Sequence, residues 1–164
     1  MGTGTGLRRT ALVVGACVVL VAALAVVAAG QWWRHERRAD ADRDAAIRDA
    51  AGSAVTAVLS YDYRRLPSGV ADTKPLLTGD AEKQYLDVQK PLARSAPGLK
   101  AVVSAEVKSL ALVQSDDDSA RVLLFVDQLS QSKKLSRPQL DQSRVVVTLA
   151  RKGDHWLVST LAAI

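Results

Sequence analysis

The chain has 164 residues, 22 Lys and Arg against 17 Asp and Glu, and a net charge of +5 with a pI near 9.6. Its one cysteine, Cys17, excludes an intramolecular disulfide and a thiolate metal cage. The basic excess falls to +3 without Arg8 and Arg9 and is interleaved with acids. It therefore forms no nucleic-acid stripe and suits a solvated surface near anionic headgroups.

Thr10 to Trp33 is a run of 24 residues without a charge, and 18 of the 19 from Ala11 to Ala29 are Ala, Val, Leu or Cys. A helix rising about 1.5 Å per residue crosses a hydrocarbon core of about 30 Å in about 20 residues. Residues 10–33 are thus predicted to form a transmembrane helix behind a short tail, 1–9. A cleavable signal peptide would draw on Arg8, Arg9 and the Ala23-Leu24-Ala25 triplet, but the apolar run exceeds the usual length of about 7–15 residues. Trp32, Trp33 and Arg34 suit the membrane–water boundary and are read as interface anchors. Val14-Gly15-Ala16-Cys17 resembles a lipid-attachment box, yet an apolar dozen follows where polar chain is normal. The five arginines from Arg34 to Arg48 outnumber Arg8 and Arg9, so the charge count alone would leave the C-terminal part in the cytoplasm.

Residues 34–50 are charged, rich in alanine and free of Gly and Pro, which predicts a juxtamembrane helix laced by pairs such as Asp44 with Arg48. Ile47, Ala51, Ala54, Val55, Val58 and Leu59 continue it as an apolar stripe, with an end expected near Tyr63. Leu66-Pro67-Ser68-Gly69 reads as a break, followed by a short helical stretch from Val70 to Leu77. Asp80 is the expected N-cap of the next helix, carrying Tyr85, Leu86, Val88 and Leu92. Pro91 should bend or end that helix, and Pro97-Gly98 should close the helical half.

From Leu99 the period changes to two. Val103, Ala105, Val107, Ala111 and Val113 mark a first strand, and Gln114 to Ser119 a turn. Arg121–Leu129 is the second strand and Ser130–Pro138 a polar loop. Arg144–Lys152 is the third, Lys152-Gly153-Asp154 a hairpin turn, and His155–Leu161 the fourth. Short strands joined by tight turns make an antiparallel sheet. The fold class is α+β: an N-terminal span, then in residues 51–164 about three helices on a curved four-stranded antiparallel sheet.

The stretches Leu59-Ser60-Tyr61-Asp62-Tyr63-Arg64, Leu76-Leu77-Thr78-Gly79-Asp80, Asp141-Gln142-Ser143-Arg144-Val145 and His155-Trp156-Leu157-Val158 resemble signature segments of the Mce-associated membrane proteins. The resemblance implies a single-span protein of the plasma membrane with its N-terminus in the cytoplasm. It also implies an extracytoplasmic, cone-like domain of the nuclear transport factor 2-like kind. The implied role is to associate with and stabilise an Mce-type lipid import complex, so the implied partners are transporter subunits and the bilayer. Long domains translocate largely regardless of flanking charge, so this orientation is preferred to the arginine count.

No motif announces a reaction. His35 sits beside the predicted span among arginines and His155 beside a hairpin turn, so neither is placed as a general base. Tyr61, Asp62 and Tyr63 invite comparison with a tyrosine–protonated acid oxyanion hole, but neighbours on one helix cannot converge on one atom. The bland reading has one tyrosine packing under the sheet. Asp116-Asp117-Asp118 lacks the spacing of a calcium loop. No catalytic residue, metal ligand or cofactor is assigned. Tyr61, Asp62, Tyr63, Arg64, Asp141, Gln142 and Ser143 are candidate partner contacts, and Phe125 and Trp156 candidate cavity lining. The leading expectation is a non-catalytic accessory subunit; Gly15, Ala22 and Ala29, spaced by seven, would let another membrane helix approach. The alternative is a carrier whose cavity takes a lipid or another apolar ligand. An anchored enzyme ranks third.

Overall fold

A computed structural model describes residues 38–164, within which Arg43–Ile164 form one compact unit. The predicted span, the anchors Trp32, Trp33 and Arg34, and His35 all lie outside the described residues. Among the described residues no helix is long and apolar enough to cross a membrane.

Helix α1 covers residues 38–59 of the described chain. Ile47, Ala51, Ala54 and Val55 recur at three- and four-residue steps, so they share one face, and each is at most 1% exposed. That face joins Val122, Leu124, Val145 and Val147 of the sheet in a single apolar cluster. Ile47 belongs to the segment read as juxtamembrane, so part of that segment is core. The helix stops at residue 59, short of Tyr63, because Tyr61–Asp62 is extended as β1.

Helix α2 (Leu66–Thr73) starts where a break was expected. Pro67 lies in its first turn, where the missing N–H costs nothing and the fixed φ favours the helix. A 3-10 turn, Lys74–Leu76, absorbs Pro75. Helix α3 (Gly79–Leu99) is capped by Thr78 rather than Asp80; Asp80 and Glu82 sit in its first turn, beside the positive end of the helix dipole. It runs through both Pro91 and Pro97. Both prolines are exposed, so water can take up the carbonyls they free, while buried Ala96 and half-buried Leu92 and Leu99 hold the opposite side against a second cluster of Leu66 and Ala101. Lys100 ends the helix in the left-handed region at φ 49°, its N–H bonded to the carbonyls of Ala96 and Pro97.

Four long strands follow: β2 (Val102–Ser115), β3 (Ser119–Gln131), β4 (Gln139–Lys152) and β5 (His155–Ala163). With β1 they make a five-stranded antiparallel sheet in chain order, one strand more than expected. The extra strand is two residues long, too short for period two to reveal. Strand β3 alternates buried Ala120, Val122, Leu124 and Val126 with outward neighbours, and Val122 and Leu124 face Val147 and Val145 across the ladder. Strand β2 changes register between Val107 and Ser109 and again between Leu112 and Gln114. Each extra residue swaps the faces. Leu110 and Leu112 therefore pack on the core, while Ala111 and Val113, expected on the same face as Val103, are exposed. Strand β4 begins at Gln139 instead of Arg144, so Asp141-Gln142-Ser143 is strand rather than turn. The hairpin before β5 turns on Gly153 at φ +61°, a conformation open to glycine.

Candidate functional site

The Tyr61–Arg64 stretch forms the corner between α1 and the sheet. Tyr61 pairs with Val103 and Asp62 with Val102, and the Tyr63 N–H donates to the Ala101 carbonyl at 3.1 Å. The Arg64 guanidinium wraps the Asp62 carboxylate, with Nη2 to Oδ2 at 2.8 Å and Nε to Oδ1 at 3.0 Å. The Arg64 backbone N–H donates to Oδ1 at 2.9 Å, and its guanidinium carbon lies 5.5 Å from the centre of the Tyr63 ring. These bonds hold the Asp62 carboxyl below its ordinary value of 3.8 and raise the Arg64 pKa. An acid kept ionised cannot donate to an oxyanion. Along β1, moreover, Tyr61 and Asp62 point to opposite faces. Tyr61 and Tyr63 pack against the cluster of Leu66, Ala96 and Ala101.

Asp141, Gln142 and Ser143 lie in β4, where the Gln142 side-chain amide donates to Asp127 Oδ1 on β3 at 2.9 Å. Strands β2 and β3 separate this stretch from β1. Three strand spacings amount to about 14 Å between the two candidate contact stretches. Phe125 is 43% exposed on the face away from the core, over a shallow depression shared with Lys108, Arg144 and Ile164. Trp156 is buried in the main core. Neither lines the apolar cavity that the domain does contain.

That cavity, of about 330 Å³, opens between the end of α1, the length of α3 and strand β5. Its wall is aliphatic, with Leu59, Leu77, Ala81, Leu92 and Leu161 among the lining residues. Five polar side chains reach it: Tyr61, Tyr85, Gln84, Gln89 and Gln128. The Gln128 amide donates to the Leu59 carbonyl at 3.3 Å, and the Tyr85 hydroxyl reaches the Gly69 carbonyl at 3.5 Å. No Asp, Glu, Lys, Arg or His is part of the lining. Sequence reasoning placed Tyr85, Val88 and Leu92 on one helix but missed the site. The glutamines interleaved with them, Gln84 and Gln89, lay on the same predicted helix, but nothing in the sequence places Leu59, Gln128 and Leu161 opposite them.

Elsewhere, among the described residues, no group of three or more His, Cys, Asp or Glu is placed to hold a metal. Asp117 of the acidic turn pairs with Arg43 at 3.3 Å, and Asp116 accepts from Gln114 at 3.1 Å. His155 is exposed.

No family model matches the sequence. Two uncharacterised proteins of Mycobacterium tuberculosis are 30% identical over 133 residues, covering 80% of this chain. The chain spans 60% of the length of these curated relatives. Among solved structures, the periplasmic domain of DotI is similar at a TM-score of 0.62 and 18% identity, over 74% of this chain and 94% of that one. CagV, a VirB8 homolog of a Helicobacter pylori type IV secretion system, is similar at 0.57 and 9% identity, over 73% and 96%. A periplasmic fragment of TraM is similar at 0.57 and 12%, over 71% and 93%. The described residues therefore share the α+β fold of these domains, three helices on a five-stranded antiparallel sheet.

Proposed function

We propose that this chain is a non-catalytic, membrane-anchored accessory subunit of a multi-protein envelope complex, with its α+β domain outside the cytoplasm. The observation that carries the reading is the fold, which matches secretion-system and periplasmic domains over more than nine-tenths of their own length. The chemistry agrees. The cavity brings together amides and phenols, and the Asp62 carboxylate, next to Tyr61 in sequence, is taken up by Arg64.

Within that class the proposed partner is an Mce-type lipid import complex. The four segments that resemble Mce-associated proteins support this choice, and two of them lie at the exposed positions Arg64 and Asp141. A photo-crosslinking residue at Arg64 or Asp141, in intact cells, is expected to trap Mce transporter subunits. Adducts with secretion-channel subunits instead would discard the Mce assignment and keep the accessory role. Failure to trap any protein from both positions would discard the role itself. A C-terminal phosphatase fusion, active only outside the cytoplasm, tests the sidedness. A second reading, an apolar-ligand carrier, is favoured by the cavity alongside α3.

A further inference from the structure

The cavity has three properties that together specify a ligand. Its wall is built from branched aliphatic side chains, and its aromatic rings are the two tyrosines, which favours a flexible chain over a stacked ring system. It presents neutral hydrogen-bonding groups and no charge. A charged group drawn inside would lose its water without gaining a partner, whereas the glutamines satisfy a hydroxyl, ester or amide. Gln128 spends one of its two amide N–H groups on the Leu59 carbonyl, which leaves the other N–H and its own carbonyl oxygen. Third, about 330 Å³ stands at the small end of ligand pockets, which run from roughly 300 to 1,000 Å³, and suits a single slender ligand.

We propose that the cavity binds one uncharged aliphatic chain whose neutral polar end bonds one of the lining amides, Gln84, Gln89 or Gln128. The chain enters over α3, where Val88 lines the cavity yet is 60% exposed, an apolar lip beside exposed Gln84. The inference rests on the carrier reading and is independent of which complex the protein joins. The same chain chemistry could come from a free fatty alcohol or from the acyl chain of a membrane lipid.

The test uses the full-length protein in native membranes and dodecanol carrying a diazirine near its end. After illumination, label is expected in the peptides of α3 and β5. Ala81→Phe fills the floor and Val88→Asp charges the lip; each should cut labelling at least tenfold, and Phe125→Ala on the far face should not. Val88 is mostly exposed, so that variant keeps its fold even if the Ala81 variant does not. Phosphatidylcholine with the diazirine on its acyl chain separates the sources: labelling by it as well assigns the bilayer, and labelling by the alcohol alone assigns a free amphiphile. Equal labelling by a dodecyl trimethylammonium analogue would overturn the neutral assignment. Labelling by a neutral polycyclic diazirine but not by dodecanol would overturn the chain and leave the carrier reading intact. If no probe labels α3 or β5, both fall.

Discussion

Asp62 accepts four hydrogen bonds from Arg64, three from the guanidinium and one from the backbone. Two residues apart on an exposed corner, the pair closes a ring that holds the chain as it leaves β1 for α2. The Asp62 pKa is lowered in the folded protein, so its contribution is present above the ordinary value of 3.8 and is lost as pH falls through the lower folded value. Arg64→Ala is expected to return the Asp62 carboxyl toward 3.8, read from its carboxyl-carbon chemical shift during an NMR titration. An unchanged titration would mean that the backbone N–H alone sets it. The candidate contacts were legible here as a composition, Tyr-Asp-Tyr-Arg, but their geometry was not. On a helix the three side chains would fan out by about 100° steps; instead Tyr61–Asp62 is a two-residue strand and Tyr63 and Arg64 form a turn, with both tyrosines packed on the second cluster and Arg64 exposed around Asp62. Phe125 shows the same limit: its place in an apolar run suggested burial, while strand alternation sends it to the open face.

At the scale of elements, α3 is the instructive case. Two prolines inside one helix read as stops because each removes a hydrogen bond and crowds the preceding turn. They are tolerated because both face solvent while the other side of the helix is held by packing. Pro91→Ala restores a backbone donor at an exposed position. It is expected to stabilise the protein by about 1–2 kcal/mol, less than the intrinsic helix penalty of about 3 because the freer chain also gains unfolded-state entropy. A rise in the thermal midpoint checks it, and a fall would mean that the helix path bordering the cavity depends on the proline. Strand β2 teaches a related point about register. Its apolar residues were identified correctly as strand, but two bulges reassign which of them face the core. A bulge is selected by the partner strand's geometry, and no local sequence signal distinguishes it from plain alternation.

For the molecule as a whole, one apolar cluster ties α1 to the middle of the sheet. Ile47 and Leu124 are both fully buried in it. Truncating Ile47 to Ala should cost about 2–5 kcal/mol, since the sheet cannot collapse into the space left. Chemical denaturation followed through Trp156, whose indole lies in the same core, measures that loss. A cost below about 1 kcal/mol would show that α1 contributes little to the domain and that the sheet is stable without it.

Hydrophobic period and turn chemistry are local properties, so the amino-acid order alone was enough to specify an α+β domain of helices followed by an antiparallel sheet, with the two tight turns between β2 and β3 and between β4 and β5 placed correctly. The apolar run from Thr10 to Trp33 is equally local, and its spanning role stands as a proposal from composition. What depended on tertiary structure was everything set by a distant partner. Strand β1 exists because β2 lies beside it, α3 survives its prolines because a second cluster holds it, and the cavity appears only where α1, α3 and β5 fail to close on one another. Burial is decided by neighbours far along the chain, and a void is the absence of such neighbours, which no stretch of sequence records.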